Sequence, residues 1–326
     1  MSLHHRRQFL GLAIGAAALP ALPRLARAQA YPSRPVRILV GFAPGGTTDI
    51  IARLIGQWLS ERLRQQFVIE NRPGGSAILA AEAAAHAPAD GYTLLAFTST
   101  NIINAALFDK LSFSPNRDFT MVAGLSRSPF VLEVHPSVPV KTVVEFIAYA
   151  KANPGKITMA SFGVGSSSHV AGELFKMMTG VDLLHVPYRG SAPMLTDLIG
   201  GQVQMSFDNL TASIEYIRAG KLRALAVTSA TRLDALPDIP AIAEFVPGYE
   251  ASAMGGIAVP RNTPATIVER LNNEINAGLD DPKMKARFAE LGALTLVHSP
   301  AEFAMFVGDE TEKWAKVLKF AGIKPE

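Results

Sequence analysis

The chain contains no cysteine among its 326 residues. Disulfide bonds, thiolate zinc sites and cysteine nucleophiles are therefore excluded. With 48% hydrophobic residues the chain can fold without covalent cross-links. It is also longer than the usual range for a single hydrophobic core, so we expect two lobes.

The sequence also lacks an apolar run of the roughly 20 residues that a transmembrane helix needs. Its early apolar stretch, residues 11–22, is short and rich in Ala, Gly and Pro. Basic residues precede this stretch and small residues follow it, which is typical of a signal peptide. We expect residues 1–30 to be a signal peptide that is cleaved near Ala28 or Ala30, and the mature protein to be periplasmic.

The route of export is open at the level of sequence. Arg6 and Arg7 are followed by Gln8, Phe9 and Leu10, which resembles a twin-arginine signal. An ordinary secretory signal with two arginines fits the same residues.

Little net charge of either sign remains outside the expected signal peptide. The full chain has a formal charge of +3 and a sequence pI of about 9.1. Removing Arg6, Arg7, Arg24 and Arg27 lowers the basic count from 31 to 27, against 28 acidic residues. A nearly neutral chain lacks the basic surface of a nucleic-acid-binding protein, so we expect no nucleic-acid partner.

Short β-branched runs alternate with helical patterns along the chain. Val36–Val40 leads through a Gly-rich turn into apolar residues with helical spacing over 50–63, and the same order recurs from Phe67 and from Tyr92. Further strand patterns follow at 131–134, 157–160, 183–186, 203–207 and 222–228, and helix patterns at 143–152, 169–179, 192–200 and 211–219. The alternation predicts an α/β fold with two Rossmann-like lobes and a largely parallel sheet, which binds ligands at the carboxyl ends of its strands.

The order of the elements suggests where the lobes divide. We expect lobe 1 to comprise residues 31–128 and 253–326, and lobe 2 to comprise residues 129–252. The hinge then lies in the chain crossings near 125–132 and 248–256.

Helix-start signals mark the C-terminal part of the chain. Thr263-Pro264 and Ser299-Pro300 each combine a capping residue with a proline, and Glu302 completes a capping box at the second site. We expect this helical segment to pack on the first lobe.

Three turns place Gly, Ser or Thr directly before a predicted helix, at 45–48, 163–168 and 189–192. The free N–H groups and the dipole of a helix N-terminus attract anions. Each turn alone is also explained by ordinary helix capping. Together, three such turns from two lobes favour a shared anion site.

Motifs for several enzyme classes are missing. No Gly-Lys-Ser or Gly-Lys-Thr occurs, and Gly163–Ser168 lacks the third glycine of a dinucleotide fingerprint. The five histidines beyond residue 30 have no metal-ligand spacing, so we expect neither metal nor cofactor. Gly-x-Ser-x-Gly is also absent, which argues against a serine hydrolase. A hydrolase built on Ser166 and His169 stays as an alternative hypothesis.

Two acidic residues and two histidines need an interpretation of their own. Asp49 and Asp208 each follow a strand end, where a carboxylate can contact a ligand or cap the next helix. His185 lies in an apolar strand and is typical of a core histidine. His169 stands at a helix start beside three serines and can line a pocket.

Ordered motifs from Tyr31 to Pro325 resemble the periplasmic receptors of tripartite tricarboxylate transporters, the Bug receptors of bordetellae and their relatives. The segments that carry the resemblance are Tyr31–Ile38, Phe42–Asp49, Glu70–Gly74, Asp90–Leu94, Gly163–Ser167, Gly172–Phe175, His185–Tyr188, Phe207–Asn209 and Gly220–Val227. The resemblance implies a two-lobed periplasmic binding protein of class II. Its ligand carboxylate would be held by backbone amides, hydroxyls and water rather than by an arginine.

The resemblance also implies a set of ligand-binding residues. One jaw would comprise Phe42, Gly45, Gly46, Thr47, Asp49, Thr98 and Ser99. The other would comprise Ser166, Ser167, His169, Gly190, Ser191, Ala192 and Asp208. Phe42 would form an apolar wall, and Asp208 would contact an amine or hydroxyl of the ligand.

This chain departs from the family at the return crossing. It has Ala251–Gly256, with Met254, where relatives often carry Ser-Ser-Trp-Phe-Gly. Since an aromatic near the cleft is lost, the size and shape of the ligand are open.

The expected function is capture of a small carboxylate without chemistry on it. A di- or tricarboxylate, an acidic amino acid or an aromatic acid would bind a monomeric receptor, which would deliver it to the permease subunits of the transporter. The alternatives are a sensor that reports its ligand to a membrane histidine kinase, and the serine hydrolase.

Overall fold

The computed structural model describes residues 31–108 and 110–323. The predicted signal peptide, residues 1–30, lies outside the described residues. All the strands and helices below belong to the compact unit that begins at Arg34.

The first elements of the chain alternate between strands and helices, as the sequence pattern predicts. They are β1 (Val36–Val40), α1 (Thr47–Leu63), β2 (Phe67–Asn71), α2 (Ile78–Ala85), β3 (Thr93–Thr98), α3 (Ser99–Leu107) and α4 (Pro115–Asp118). The central strand β1 pairs in parallel with β2 on one side and β3 on the other. This arrangement brings the carboxyl ends of three strands to one edge.

A second α/β series follows, and its bounds agree with the sequence prediction to within one or two residues except at β4, which begins far earlier. Its members are β4 (Phe119–Val134), α5 (Val143–Ala152), β5 (Thr158–Ser161), α6 (Ser167–Thr179), β6 (Leu184–Pro187), α7 (Ser191–Ile199), β7 (Met205–Asn209), α8 (Leu210–Arg218) and β8 (Arg223–Val227). Strand β5 pairs in parallel with β6 and β7. Gly220, at φ +68°, terminates α8 in the left-handed conformation that favours glycine.

The chain returns through a 3-10 helix at Ile242–Glu244 and then a long strand. The remaining elements are β9 (Ser252–Pro260), α9 (Ala265–Asp280), α10 (Pro282–Glu290), β10 (Leu294–Thr295) and α11 (Pro300–Phe320). The capping box at Ser299 and Glu302 is confirmed. The other predicted start is one residue early, because Pro264 itself is the N-cap of α9.

Strand β4 belongs to both lobes. Residues 119–129 pair antiparallel with β9, and residues 130–134 pair antiparallel with β7 and β8. The strand order is therefore β2-β1-β3-β9-β4 in the first lobe and β4-β7-β5-β6 in the second, with β8 on β4. The prediction of a largely parallel sheet is right for the outer strands and wrong for the middle, because β4 and β9 run between the lobes in opposite directions. The lobe boundaries proposed from sequence stay a prediction.

Each lobe has its own apolar core. In the first, Phe97, Phe303 and Trp314 are buried together, so α11 packs on the first lobe as the sequence predicts. In the second, Phe175 and Phe207 pack with the helices around β7. Among the described residues, no helix is long and apolar enough to cross a membrane.

Candidate functional site

A cavity lies where the two lobes meet. Strands β4 and β9 form its back, since Leu125, Ser126 and Ser128 of β4 and residues 253–256 of β9 line it. The loop before α1 lies against the start of α7, since a Cβ at Gly46 would be 3.3 Å from the Ser191 Cβ. The cavity is therefore built from both lobes and from the two strands that join them.

The two lobes are in direct contact around this cavity. Ala43 N donates to the Arg189 carbonyl at 3.1 Å, and the Ser76 hydroxyl donates to the Val164 carbonyl at 2.6 Å. Ser167 N also donates to the hydroxyl of Thr100, at 3.3 Å. Both lobes therefore contribute hydrogen-bonding groups to this contact.

The jaw of the first lobe is the turn that leads from β1 into α1. Phe42, Gly46 and Thr47 line the cavity, and the Phe42 ring packs edge-on against Phe162 with centroids 6.0 Å apart. Gly46 is the N-cap of α1 and has no side chain to satisfy the helix N–H groups. These groups are left for a ligand or for water.

Asp49 is not part of the cavity wall but stabilises this turn. Its carboxylate accepts hydrogen bonds from Gly45 N at 2.9 Å, from the Arg53 guanidinium and from Asn71. Burial alone acts to raise the pKa of Asp49, but the hydrogen bonds from Arg53, Gly45 and Asn71 together hold that pKa below its usual value. An ionised Asp49 therefore fixes the loop that carries Gly45.

The jaw of the second lobe comprises the starts of α6 and α7. Ser167 and Ser191, the first residues of these helices, both line the cavity. Ser166 lies behind them as the N-cap of α6, with its hydroxyl accepting from the backbone N–H of His169. Gly190 and Ala192 flank Ser191 without lining the cavity.

His169 faces away from the cavity. Its Nδ1 accepts from Gly165 N at 3.2 Å, and its ring stacks on His185 with centroids 4.0 Å apart. Burial lowers the pKa of each of these two histidines to about 4. At neutral pH both imidazoles are uncharged and hold the α6 turn in place.

Asp208 and Ser99 are buried behind the wall as well. The Asp208 carboxylate accepts from the hydroxyls of Ser191, at 2.6 Å, and Ser213, at 2.9 Å. The Ser99 hydroxyl accepts from Met254 N at 2.9 Å and so ties α3 to β9. Thr98, the N-cap of α3, does line the cavity.

Several lining residues were missed by the sequence reasoning. Thr48 lies in the predicted anion-binding turn at 45–48 but was not among the predicted ligand-binding residues. Thr100 and Asn209 stand next to residues that were singled out, so helix starts could have found them. Asn209, rather than Asp208, is the N-cap of α8 and reaches the cavity. The segment Ala251–Gly256 was expected near the cleft, and its residues 253–256 line the cavity. The other missed residues carry no such signal: Ile51, Ala52, Ala96, Phe97, Leu125, Ser126, Ser128 and Phe162.

The wall combines neutral polar groups with apolar surface. Its polar members carry hydroxyls or amides, and within the described residues no charged side chain lines it. The buried Oγ1 of Thr47 and Oδ1 of Asn209 have no hydrogen-bond partner within the protein. Two polar atoms are thus available to a bound molecule.

The arrangement does not resemble a hydrolytic centre or a metal site. The Ser166 hydroxyl and the His169 ring each bond to backbone groups, and the described chain shows no hydrogen bond between the two. No group of three or more His, Asp or Glu side chains suited to a metal ion occurs in residues 31–108 and 110–323. The geometry is suited to binding.

Several known proteins are similar to this chain. A family model described as "Tripartite tricarboxylate transporter family receptor" matches residues 51–323. Rpa4515 of R. palustris, solved with adipate, is 42% identical with a TM-score of 0.89, over 91% of this chain and 100% of its own. The periplasmic binding protein BugD is 33% identical with a TM-score of 0.88, over 91% and 100%.

A third solved structure extends the comparison. MatC from Rhodopseudomonas palustris, solved with malate, is 34% identical with a TM-score of 0.84, over 88% of this chain and 100% of its own. The likeness covers both lobes, so the fold is that of a two-lobed periplasmic binding protein. The chain belongs to the receptor family of the tripartite tricarboxylate transporters, whose members are solute-binding receptors and not enzymes.

Proposed function

We propose that this protein is a periplasmic receptor that captures a small carboxylate in the cavity and delivers it to the permease subunits of a tripartite tricarboxylate transporter. One observation carries the proposal. Five helices begin at an uncharged cavity wall, through these first or capping residues: Thr47 of α1, Thr98 of α3, Ser167 of α6, Ser191 of α7 and Asn209 of α8.

Helix starts suit an anion without the help of a cation. Each N-terminus presents free N–H groups and is equivalent to roughly half a positive charge. A carboxylate buried among them exchanges its water for fixed dipoles. The unpartnered Thr47 hydroxyl supports the same reading, because it can donate to a carboxylate oxygen.

The apolar part of the wall favours an aliphatic or aromatic body on the ligand. Phe42, Ile51, Leu125, Phe162 and Met254 contribute this surface. Adipate, the acid bound to the 42% identical relative, combines two carboxylates with an apolar chain. We place linear dicarboxylates first among the ligands to be tested.

Thermal shift and calorimetry with the mature protein test the proposal. The panel contains adipate, malate, citrate, glutamate and benzoate. A ligand at 100 times its Kd stabilises the folded state by about 2.7 kcal/mol. An acid that binds and is recovered unchanged would support the receptor, whereas the absence of binding by every acid, or hydrolysis of an ester substrate, would contradict it.

A pair of variants locates the binding site. Ser191→Ala removes a hydroxyl from the wall, and because a hydrogen bond to a charged group contributes about 1.5–3 kcal/mol, affinity should fall about ten- to a hundredfold. Ser60→Ala removes a hydroxyl that donates to the Gly56 carbonyl outside the cavity, and affinity should not change. Equal affinities for the two variants would place the ligand elsewhere.

Delivery and localisation need cells. We expect the protein in the periplasmic fraction, monomeric, with an N-terminus generated near Ala28 or Ala30. Capture of membrane proteins by the ligand-loaded receptor should recover transporter subunits. Recovery of a histidine kinase instead would support the sensor hypothesis and contradict delivery.

A further inference from the structure

Two carboxyl side chains lie together behind the wall of the cavity. Glu133 of β4 and Asp208 of β7 are both fully buried. The Ser213 hydroxyl of α8 lies between them, 3.0 Å from Glu133 Oε1 and 2.9 Å from Asp208 Oδ2. Within the described chain, no cationic nitrogen lies within 4.0 Å of either carboxyl group.

If both carboxyls are ionised, there are too few hydrogen-bond donors for their oxygens. A serine hydroxyl carries one hydrogen, so Ser213 can donate to only one of the two carboxylates. Glu133 Oε1 also accepts from the Ser206 hydroxyl, while Oε2 has no partner. A proton on one carboxyl supplies the missing hydrogen and removes an unpaired buried charge.

The pair is connected to the cavity through Ser191. The Ser191 hydroxyl contacts Asp208 Oδ2 at 2.6 Å and also lines the cavity. When Asp208 is ionised, Ser191 donates its one hydrogen to Asp208 and turns lone pairs to the cavity. When Asp208 is protonated, Asp208 donates to Ser191, and the Ser191 hydrogen is free to bond an anion.

We propose that Glu133, Ser213 and Asp208 form a proton relay that sets the polarity of Ser191, so that binding of a carboxylate in the cavity draws a proton onto Asp208. The inference rests on the proposed carboxylate function. All three are positioning residues, since they act on the ligand through Ser191.

The relay conserves its atoms and charges. The Glu133 Oε1–H bond breaks as its proton passes to Ser213 Oγ, and the Ser213 hydrogen passes to Asp208 Oδ2. Glu133 is left ionised and Asp208 neutral. Uptake of one proton from water then restores neutral Glu133, so binding is accompanied by uptake of up to one proton.

Burial supports a resting state in which Glu133 is protonated and Asp208 is ionised. It raises the pKa of Glu133 well above its ordinary value, and the neighbouring Asp208 raises it further. Burial raises the pKa of Asp208 to about 6, although the hydrogen bonds from Ser191, Ser213 and Asn209 act to lower it. Both directions favour Glu133 over Asp208 as the carboxyl that holds the buried proton without ligand.

Charged groups on the surrounding elements are engaged elsewhere. The Arg223 guanidinium of β8 donates to the carbonyls of Val138 and Val140. Charged groups on the packed helices also have partners of their own. These pairs include Asp49 with Arg53 and Arg62 with Glu274 for α1, Glu173 with Lys176 for α6, Asp197 with Tyr188 for α7, and Glu215 with Arg218 for α8. The titration that sets the polarity of Ser191 is thus that of the Glu133–Asp208 pair.

Calorimetry with adipate tests the relay. Between pH 6.5 and 8.5, where ordinary carboxyls are ionised, wild-type affinity should fall with rising pH, by up to tenfold per unit for one coupled proton. Titrations at pH 7 in buffers of different ionisation enthalpy should show proton uptake. Binding of adipate without uptake of a proton would overturn the relay.

Asp208→Asn provides a gain of function. Asn209 N donates to Asp208 Oδ1 at 2.8 Å, so the amide oxygen keeps this position and the amide nitrogen faces Ser191. The nitrogen donates to Ser191 permanently, as protonated Asp208 does. Affinity for adipate should become independent of pH and should exceed that of wild type at pH 8.5.

Ser206→Ala is the control. It removes the hydroxyl that donates to Glu133 and leaves the hydrogen bonds of Asp208 in place, so the affinity should keep the wild-type dependence on pH. A wild-type slope in Asp208→Asn would overturn the proposal.

A ligand-free measurement separates this inference from the proposed function. Relative to Glu133→Gln, the unfolding free energy of wild type should decrease as pH rises above the ordinary glutamate pKa, because the folded state binds the extra proton. A difference that does not vary with pH would overturn the buried proton. If that difference is present but no acid binds, the carboxylate function and the coupling are both overturned while the buried proton stands.

Discussion

Each lobe supports its jaw with one buried aspartate, and the two aspartates have opposite environments. Asp49 in the first lobe accepts from Arg53 and is 3% exposed. Asp208 in the second lobe is fully buried and accepts only from hydroxyls and one backbone N–H. The pKa of Asp49 lies below its ordinary value, whereas burial raises that of Asp208 to about 6.

The comparison shows that position in the fold does not determine the charge of a supporting residue. Asp49 stays ionised because the half-exposed Arg53 guanidinium, Gly45 N and Asn71 all donate to it. Asp208 has no such partner, so its charge depends on pH and on what binds at Ser191. The first jaw is therefore fixed, while the second can respond.

The largest contrast is expected in the pH dependence of stability. Against Asp208→Asn, the unfolding free energy of wild type should fall by about 3 kcal/mol as pH rises from below 4 through about 6, because ionisation opposes folding there. Against Asp49→Asn, the wild-type advantage should instead be present above the ordinary aspartate pKa and be lost as pH falls below it. Urea unfolding from pH 3 to 8 measures both, and slopes of the same sign would remove the distinction.

A single pH gives the next largest effect. At pH 7, Asp49→Asn should destabilise the protein by about 2 kcal/mol, because the amide no longer neutralises Arg53 and loses acceptor capacity toward Gly45. Asp208→Asn should change stability by less than about 1 kcal/mol or increase it, since a buried charge is removed. Chemical unfolding measures the free energy of unfolding of both variants. A larger loss of stability in Asp208→Asn than in Asp49→Asn would contradict the comparison.

The smallest effect concerns the glycines that precede the two helices. Gly45 (φ +89°) and Gly190 (φ +132°) are both in conformations that strain other residues, by about 1–3 kcal/mol. A Cβ at Gly190 would also lie 3.1 Å from Ala43 N of the opposite jaw, whereas one at Gly45 would lie 3.4 Å from the Ala192 Cβ. Gly190→Ala should therefore weaken adipate binding about tenfold and Gly45→Ala less, as measured by calorimetry beside unfolding. Equal losses would mean that strain alone decides.

The sequence predicts the elements better than it predicts which side chains reach the cavity. Thr47, Ser167 and Ser191 line the cavity because they begin helices, a property that sequence patterns reveal. Asp208 directly precedes the N-cap of α8. Its side chain turns toward Ser213 only because α8 places Ser213 beside it. No local pattern indicates that direction.

The back of the cavity could not be predicted for a different reason. Ser126, Ser128 and Met254 lie on β4 and β9, and their orientation is fixed only when these strands pair across the lobes. The hydrophobic pattern of a strand buried on both faces does not distinguish one face from the other. Residues 125–130 of β4 and 252–256 of β9 were expected as chain crossings rather than as strands.

The place of β9 in the sheet has a consequence for biosynthesis. In the first lobe β9 lies between β3 and β4, although the whole second lobe separates β9 from them in the sequence. A chain that emerges N-terminus first from a ribosome or a translocation channel holds β1, β2 and β3 without the strand that joins them to β4. The first lobe therefore joins β3 to β4 only after residues 252–260 have emerged. The second lobe, whose strands are consecutive in sequence, has the opportunity to fold before it.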